Sequence, residues 1–191
     1  MNKIILRTAL ITIAALAIAA AAVFSLWLVC SPSTMADSCE RTGNYSLAAT
    51  CAELNFKYTK KMDDLARCVE DSILSGKDKL IVKYGEKMTE DEKLFAKFCE
   101  EKDRFISGTD YAQYALGYRI YLCGHLAVSE YRTGNFDKGL AVAKLGGTRS
   151  YNKLIIEIIT NGTKDEARKV LQEWDDPDEN LVKLLNNFIN N

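Results

Sequence analysis

The sequence predicts an all-α protein: one N-terminal transmembrane helix followed by a body of antiparallel helix pairs. Three observations carry this reading. Residues 9–29 hold no charged side chain. Beyond Pro32, apolar residues recur at intervals of three and four, the period of helices with one buried face. Glycine-centred breaks interrupt that pattern at Gly43, Gly76, Gly108, Gly134 and Gly162.

The anchor comes first. From Ala9 to Val29 only Thr12 and Ser25 interrupt the apolar run. At about 1.5 Å of rise per residue it covers roughly 30 Å, the thickness of a bilayer's hydrocarbon core. A cleaved secretory signal has an apolar stretch of about 7–15 residues. This run is longer and ends in Leu26-Trp27-Leu28-Val29, so it reads as a retained signal-anchor. Small residues that would suit cleavage do exist, at Ala19 to Ala22 and at Thr34-Met35-Ala36. Cys30 follows Trp27, Leu28 and Val29, whereas a bacterial lipidation box needs small residues before its cysteine. Lys3 and Arg7 flank the first end, and no Lys or Arg lies between Cys30 and Cys39. The positive-inside rule then places residues 1–8 in the cytoplasm, 9–29 in the membrane and 30–191 on the far side.

Composition narrows what the body can do. Beyond Lys3 and Arg7, 23 basic residues face all 26 acidic ones, so the body carries about −3. A mildly acidic surface of mixed sign is unsuited to nucleic acid, which needs clustered Lys and Arg. It is equally unsuited to lying flat on anionic lipid. Five cysteines lie in the body: Cys39, Cys51, Cys68, Cys99 and Cys123. They form no CxxC and match no zinc spacing. They read as small buried residues on helix faces, with one or two disulfides open to them in an oxidising space.

The helices follow in order. Leu65, Val69, Ile73 and Leu74 form one stripe. Leu94, Phe95 and Phe98 form another, opened by the capping-like Thr89-Glu90-Asp91-Glu92. Next come Leu116, Ile120, Tyr121, Cys123 and Ala127, then Leu154, Ile155, Ile158 and Ile159. Val170, Leu171 and Trp174 precede a last stripe of Leu181, Leu184, Leu185 and Phe188. No segment alternates as a strand would, and about nine short helices are expected after the anchor.

The breaks resemble one another: Thr42-Gly43-Asn44-Tyr45, Ser75-Gly76-Lys77-Asp78, Ser107-Gly108-Thr109-Asp110, Thr133-Gly134-Asn135-Phe136 and Asn161-Gly162-Thr163-Lys164. Glycine ends a helix by adopting a left-handed conformation without Cβ strain. Small residues five positions on (Ala48, Gly139) and seven before (Ala36, Ala127) would let paired helices approach closely. A Gly-x-aromatic-x-x-Ala turn between two antiparallel helices, recurring near 34 residues, resembles the tetratricopeptide repeat (TPR). Asp176-Pro177 resembles the Asp-Pro that often closes such a unit. The likeness is strongest in the Gly43 and Gly134 units. The Gly76 unit has Val69 and Ile81 where small residues belong, the Gly162 unit has Ile155, and the Gly108 unit lacks the pair. The resemblance therefore implies a degenerate TPR-like α-solenoid across residues 30–191.

Catalytic readings are weaker. His125 is the only histidine and sits in an apolar helical segment, as a structural histidine does. Asp63-Asp64, Glu90-Asp91-Glu92, Glu100-Glu101 and Asp175-Asp176-Pro177-Asp178-Glu179 lie at helix ends or among lysines, as solvated faces do. Gly85, Gly117, Gly124 and Gly146-Gly147 fit no phosphate loop. Asn44-Tyr45-Ser46 and Asn161-Gly162-Thr163 match the N-glycosylation pattern and fall in turns. Tyr111, Tyr114, Tyr118, Tyr121 and Tyr131, with Arg119 and Arg132, form an aromatic series suited to packing or recognition.

In the TPR family the first helix of each repeat lines the binding groove. By that resemblance the groove residues here are Tyr121, Val128, Tyr131, Arg132, Arg149 and Asn152. The expected function is a membrane-anchored adaptor or scaffold binding a protein or peptide, not an enzyme, with no cofactor, metal or nucleic acid. An envelope enzyme or its accessory subunit with a histidine-independent site, and a purely structural spacer, are the alternatives.

Overall fold

The structure is a computed structural model and describes residues 2–105 and 117–191. Gly108, Tyr111, Tyr114 and Leu116 lie outside the described residues. Within them the chain is helical, with no strand. Helix α1 (Asn2–Cys30) contains an apolar span, Leu6–Trp27, long enough to cross a membrane, and none of that span is buried in the protein. Two of its hydroxyls bond within the helix: Thr12 Oγ1 donates to Thr8 O at 3.0 Å and Ser25 Oγ to Ala21 O at 2.8 Å. A helix facing lipid needs this, because no water is there to take the donors.

Only Ser31 separates α1 from α2 (Pro32–Arg41). Ser31 N donates to Trp27 O and Met35 N donates to Ser31 O, so hydrogen bonding barely breaks. Pro32 opens α2, where its missing N–H and fixed φ cost nothing. The remaining helices are α3 (Tyr45–Thr59), α4 (Met62–Leu74), α5 (Asp78–Thr89), α6 (Glu92–Phe105), α7 (Tyr118–Arg132), α8 (Phe136–Gly146), a 3₁₀ turn (Thr148–Ser150), α9 (Tyr151–Asn161), α10 (Lys164–Glu173) and α11 (Glu179–Asn190). Ten α-helices thus follow α1 among the described residues, one more than the sequence pattern suggested.

Neighbours in sequence pack as hairpins: α2 with α3, α4 with α5, α7 with α8, α9 with α10. Helix α7 is the hub, in contact with α5, α6, α8 and α9. Three hairpin corners close in one way. Gly43 N donates to Glu40 O and Asn44 N to Cys39 O; Gly76 N to Ile73 O and Lys77 N to Ser72 O; Gly134 N to Tyr131 O and Asn135 N to Glu130 O. These are Schellman motifs, which satisfy the last carbonyls of a helix and place a left-handed residue just past its end. The three glycines have φ of 74°, 65° and 90°. A Cβ on any of them would meet nothing within 4 Å, so backbone conformation alone selects glycine there. Gly162 differs: its φ of −97° is extended, and the left-handed reading does not apply to it. Glycine is needed there for space, since a Cβ would lie 2.6 Å from the Tyr131 hydroxyl and 2.8 Å from Ile158 O.

The small residues set helix separation. A Cβ on Gly139 would lie 2.7 Å from Ala127 O, so α7 and α8 touch backbone to side. Ala36 and Ala48 are fully buried between α2 and α3. Val69, Ile81 and Ile155 are also buried, so those units accommodate larger side chains in the interface. Phe95, Tyr118 and Leu122 anchor the middle core; Leu154, Ile158, Trp174 and Leu185 anchor the last, over which α11 packs.

Candidate functional site

The groove residues named from the repeat resemblance separate by environment. Tyr121 is half-buried, its ring 4.8 Å from that of His125. Val128 is half-buried. Tyr131 turns toward α8 and α10: its hydroxyl donates to Glu166 Oε2 at 3.1 Å and its ring meets the edge of Phe136 at 6.0 Å. Arg132 Nε and Nη2 donate to the two oxygens of Glu157 at 3.0 and 2.7 Å, and Nη1 lies 3.9 Å from Asp78. That bidentate bond holds the Glu157 carboxyl below its ordinary range. Arg132 also lines a hollow of about 650 Å³ with Lys77, Asp78 and Ser46. Arg149 and Asn152 line a different one, about 450 Å³, with Asp176, Pro177 and Asp178.

A third hollow has the character of a recognition pocket. It measures about 410 Å³ and opens where the ends of α3 and α5 meet the starts of α4 and α6. Leu65 and Met88 form a buried floor, Phe56 and Met62 a partly buried wall, and Leu94 a rim that is 50% exposed. Glu90 and Asp91 add carboxylates on one side. Lys87 and Lys60 place their ammonium groups 4.7 and 5.9 Å from the centre of the Phe56 ring. Apolar walls with a few polar groups at the mouth are what small-ligand and side-chain pockets share.

Lys60 is an unusual residue for its place. It ends α3 with φ of 56°, the one positive φ outside glycine among the described residues, and its N–H donates to Phe56 O at 2.9 Å. A left-handed lysine costs about 1 kcal/mol relative to glycine, and such outliers collect at functional positions. In sequence, Leu94 belongs to one apolar stripe with Phe95 and Phe98. Those two are buried, but Leu94 lies about 100° around the helix from Phe95 and faces outward. The signal that marks this site is a leucine beside, not within, its helix stripe.

The remaining candidates are structural in their surroundings. His125 is half-buried, and burial first, then the Lys153 charge, lowers its pKa to about 4. Glu130 is fully buried between helices, and burial with the nearby Glu86 raises its pKa; Asn135 Nδ2 donates to its Oε2 at 3.0 Å, and Lys138 bonds Glu86. Asp71, buried on α4, lies beside Glu40 of α2. The five body cysteines are all buried and unpaired, while Cys30 is exposed. No group of three or more His, Cys, Asp or Glu side chains among the described residues is placed to hold a metal ion. Compared with known proteins, the chain matches no family model, no curated protein and no solved structure.

Proposed function

We propose that this protein is a single-pass membrane adaptor whose body is a degenerate TPR-like solenoid. The body holds a protein or peptide segment, and an apolar side chain of that segment enters the Phe56–Leu94 hollow. The observation that carries this reading is the repetition of one hairpin design, closed by the same hydrogen bonds at Gly43, Gly76 and Gly134. Repeated hairpins that stack produce extended surfaces suited to peptides. The hollow supplies the apolar pocket that such a surface needs for an anchor residue.

The test is proximity labelling of the full-length protein in its native membrane, compared with Leu94→Glu. Leu94 is half exposed, so the substitution is expected to leave stability within about 0.5 kcal/mol of wild type. At least one labelled partner should be lost from the list. An unchanged list removes the hollow from the proposal. Lys60→Gly sharpens the result: it relieves the left-handed strain and raises stability by about 1 kcal/mol, yet it should weaken the same partner by removing an ammonium from the mouth.

The orientation that fits Lys3 and Arg7 puts the body outside the cytoplasm. Native body thiols are buried and cannot report this. A cysteine introduced at exposed Lys93, in a chain whose exposed Cys30 is replaced by serine, can. Lys93→Cys is expected to react with a membrane-impermeant maleimide on intact cells, and reaction only after lysis reverses the assignment.

A further inference from the structure

Cys39 on α2 and Cys51 on α3 lie in one small core of the first hairpin. Both are buried, at 5% and 0% exposure, in the small core that α2 and α3 build with Met35, Ala36 and Ala48. Each lies three residues from one of the two alanines that let these helices approach. No other cysteine shares that core, and Cys39 is near enough to Cys51 to raise its thiol pKa. The other body cysteines sit elsewhere: Cys68 Sγ donates to Asp64 O at 3.1 Å, and Cys68, Cys99 and Cys123 lie in the middle core.

We infer that Cys39 and Cys51 are a disulfide site, joined in the mature protein to lock the membrane-proximal hairpin. The inference rests on the extracytoplasmic placement of the body, since such bridges persist in oxidising compartments. In the step, one thiolate attacks a disulfide on a dithiol oxidoreductase, and the second thiolate displaces that enzyme from the mixed disulfide. The two cysteines lose two protons and two electrons, and the oxidoreductase leaves as a dithiol. Burial first, and then Cys39, pushes the Cys51 thiol up to about 11, so the closed hairpin is a poor reactant. The bond therefore forms while α2 and α3 are still opening and closing, and is protected once they are packed.

The bridge would join the first stretch of the body to itself, across cysteines twelve residues apart in sequence. Because α2 follows α1 after a single residue, pulling on the anchor acts on this hairpin before any other. A covalent tie between Cys39 and Cys51 carries that load across the turn between the two helices.

The test traps thiols in native membranes with N-ethylmaleimide in denaturant, without reductant, and maps the digested full-length protein. The expected result is one species joining the Cys39 and Cys51 peptides. Recovery of both as alkylated thiols overturns the inference, as does linkage of either to another cysteine. A second measurement does not depend on a variant folding. Thermal unfolding of the detergent-solubilised wild type should fall by about 5–10 °C when a strong reductant is present throughout. The Cys39→Ala/Cys51→Ala double variant should unfold at one temperature with or without reductant. A wild-type midpoint that reductant does not move also overturns it.

Discussion

Replacing Gly139 with alanine is expected to destabilise the body by about 2 kcal/mol, although alanine is the better helix former. In an open helix interior the same change stabilises by about 1 kcal/mol. Gly139 is not in the open: the new Cβ would lie 2.7 Å from Ala127 O, 3.5 Å from Tyr131 N and 3.6 Å from Glu130 Cβ. Two of those atoms are backbone and cannot rotate away. Helices α7 and α8 must separate, and overpacking of this kind costs about 1–3 kcal/mol. Because α7 also contacts α5, α6 and α9, it has little freedom to yield. Urea unfolding measures the loss. Gly134→Ala is the control, since its Cβ would meet nothing and only its φ of 90° is strained. About 1 kcal/mol is expected there. A Gly139→Ala protein more stable than wild type would mean that the close approach of α7 and α8 does not exist.

The contrast between these two glycines shows what a sequence can and cannot carry. Helix-forming stripes and the breaks between them are local properties, set by spacing and by residues that suit turns. The breaks at Gly43, Gly76 and Gly134 therefore coincide with Schellman corners. Gly162 looked the same in sequence and is different in space, because its neighbour is Tyr131, thirty-one residues away. The site depends on such distant neighbours throughout. Phe56, Met88 and Leu94 meet only after α3 to α6 have packed, and no local pattern joins them. The repeat resemblance implies Arg132 as a groove residue, but its partners Glu157 and Asp78 come from α9 and α5. A side chain's address on a helix is legible in sequence, whereas its partners are not. Lys60 was invisible for a related reason: nothing about a lysine announces positive φ.

The second large effect concerns pH. Asp71 is 3% exposed, and no donor reaches its Oδ2. Burial first, and then the charge of Glu40, pushes its carboxyl up to about 7, against the pull of Arg67. Arg67 cannot do more because it is committed elsewhere, to Glu40 at 2.6 Å and to Asp37 at 2.5 Å. The folded-state pKa thus lies above the ordinary 3.8 of the unfolded chain. A group raised in this way contributes stability that is fully present below the unfolded value and is lost as pH rises through the folded one. Each pKa unit corresponds to about 1.4 kcal/mol, so wild type should lose about 2–3 kcal/mol at this site between pH 5 and pH 8.

Asp71→Asn keeps a donor toward Glu40 and cannot ionise. The variant should be more stable than wild type at pH 8 and close to it at pH 5, so the gap between the two urea midpoints widens as pH rises. His125 acts in the opposite direction, because its folded pKa of about 4 lies below the ordinary 6.5. Its contribution is present above that ordinary value and is lost as pH falls toward 4. The Asn variant should therefore retain the acid-side loss while losing the alkaline one. Parallel wild-type and Asn curves between pH 5 and pH 8 would show that Asp71 is already ionised in the folded protein, its charge held by Arg67 after all.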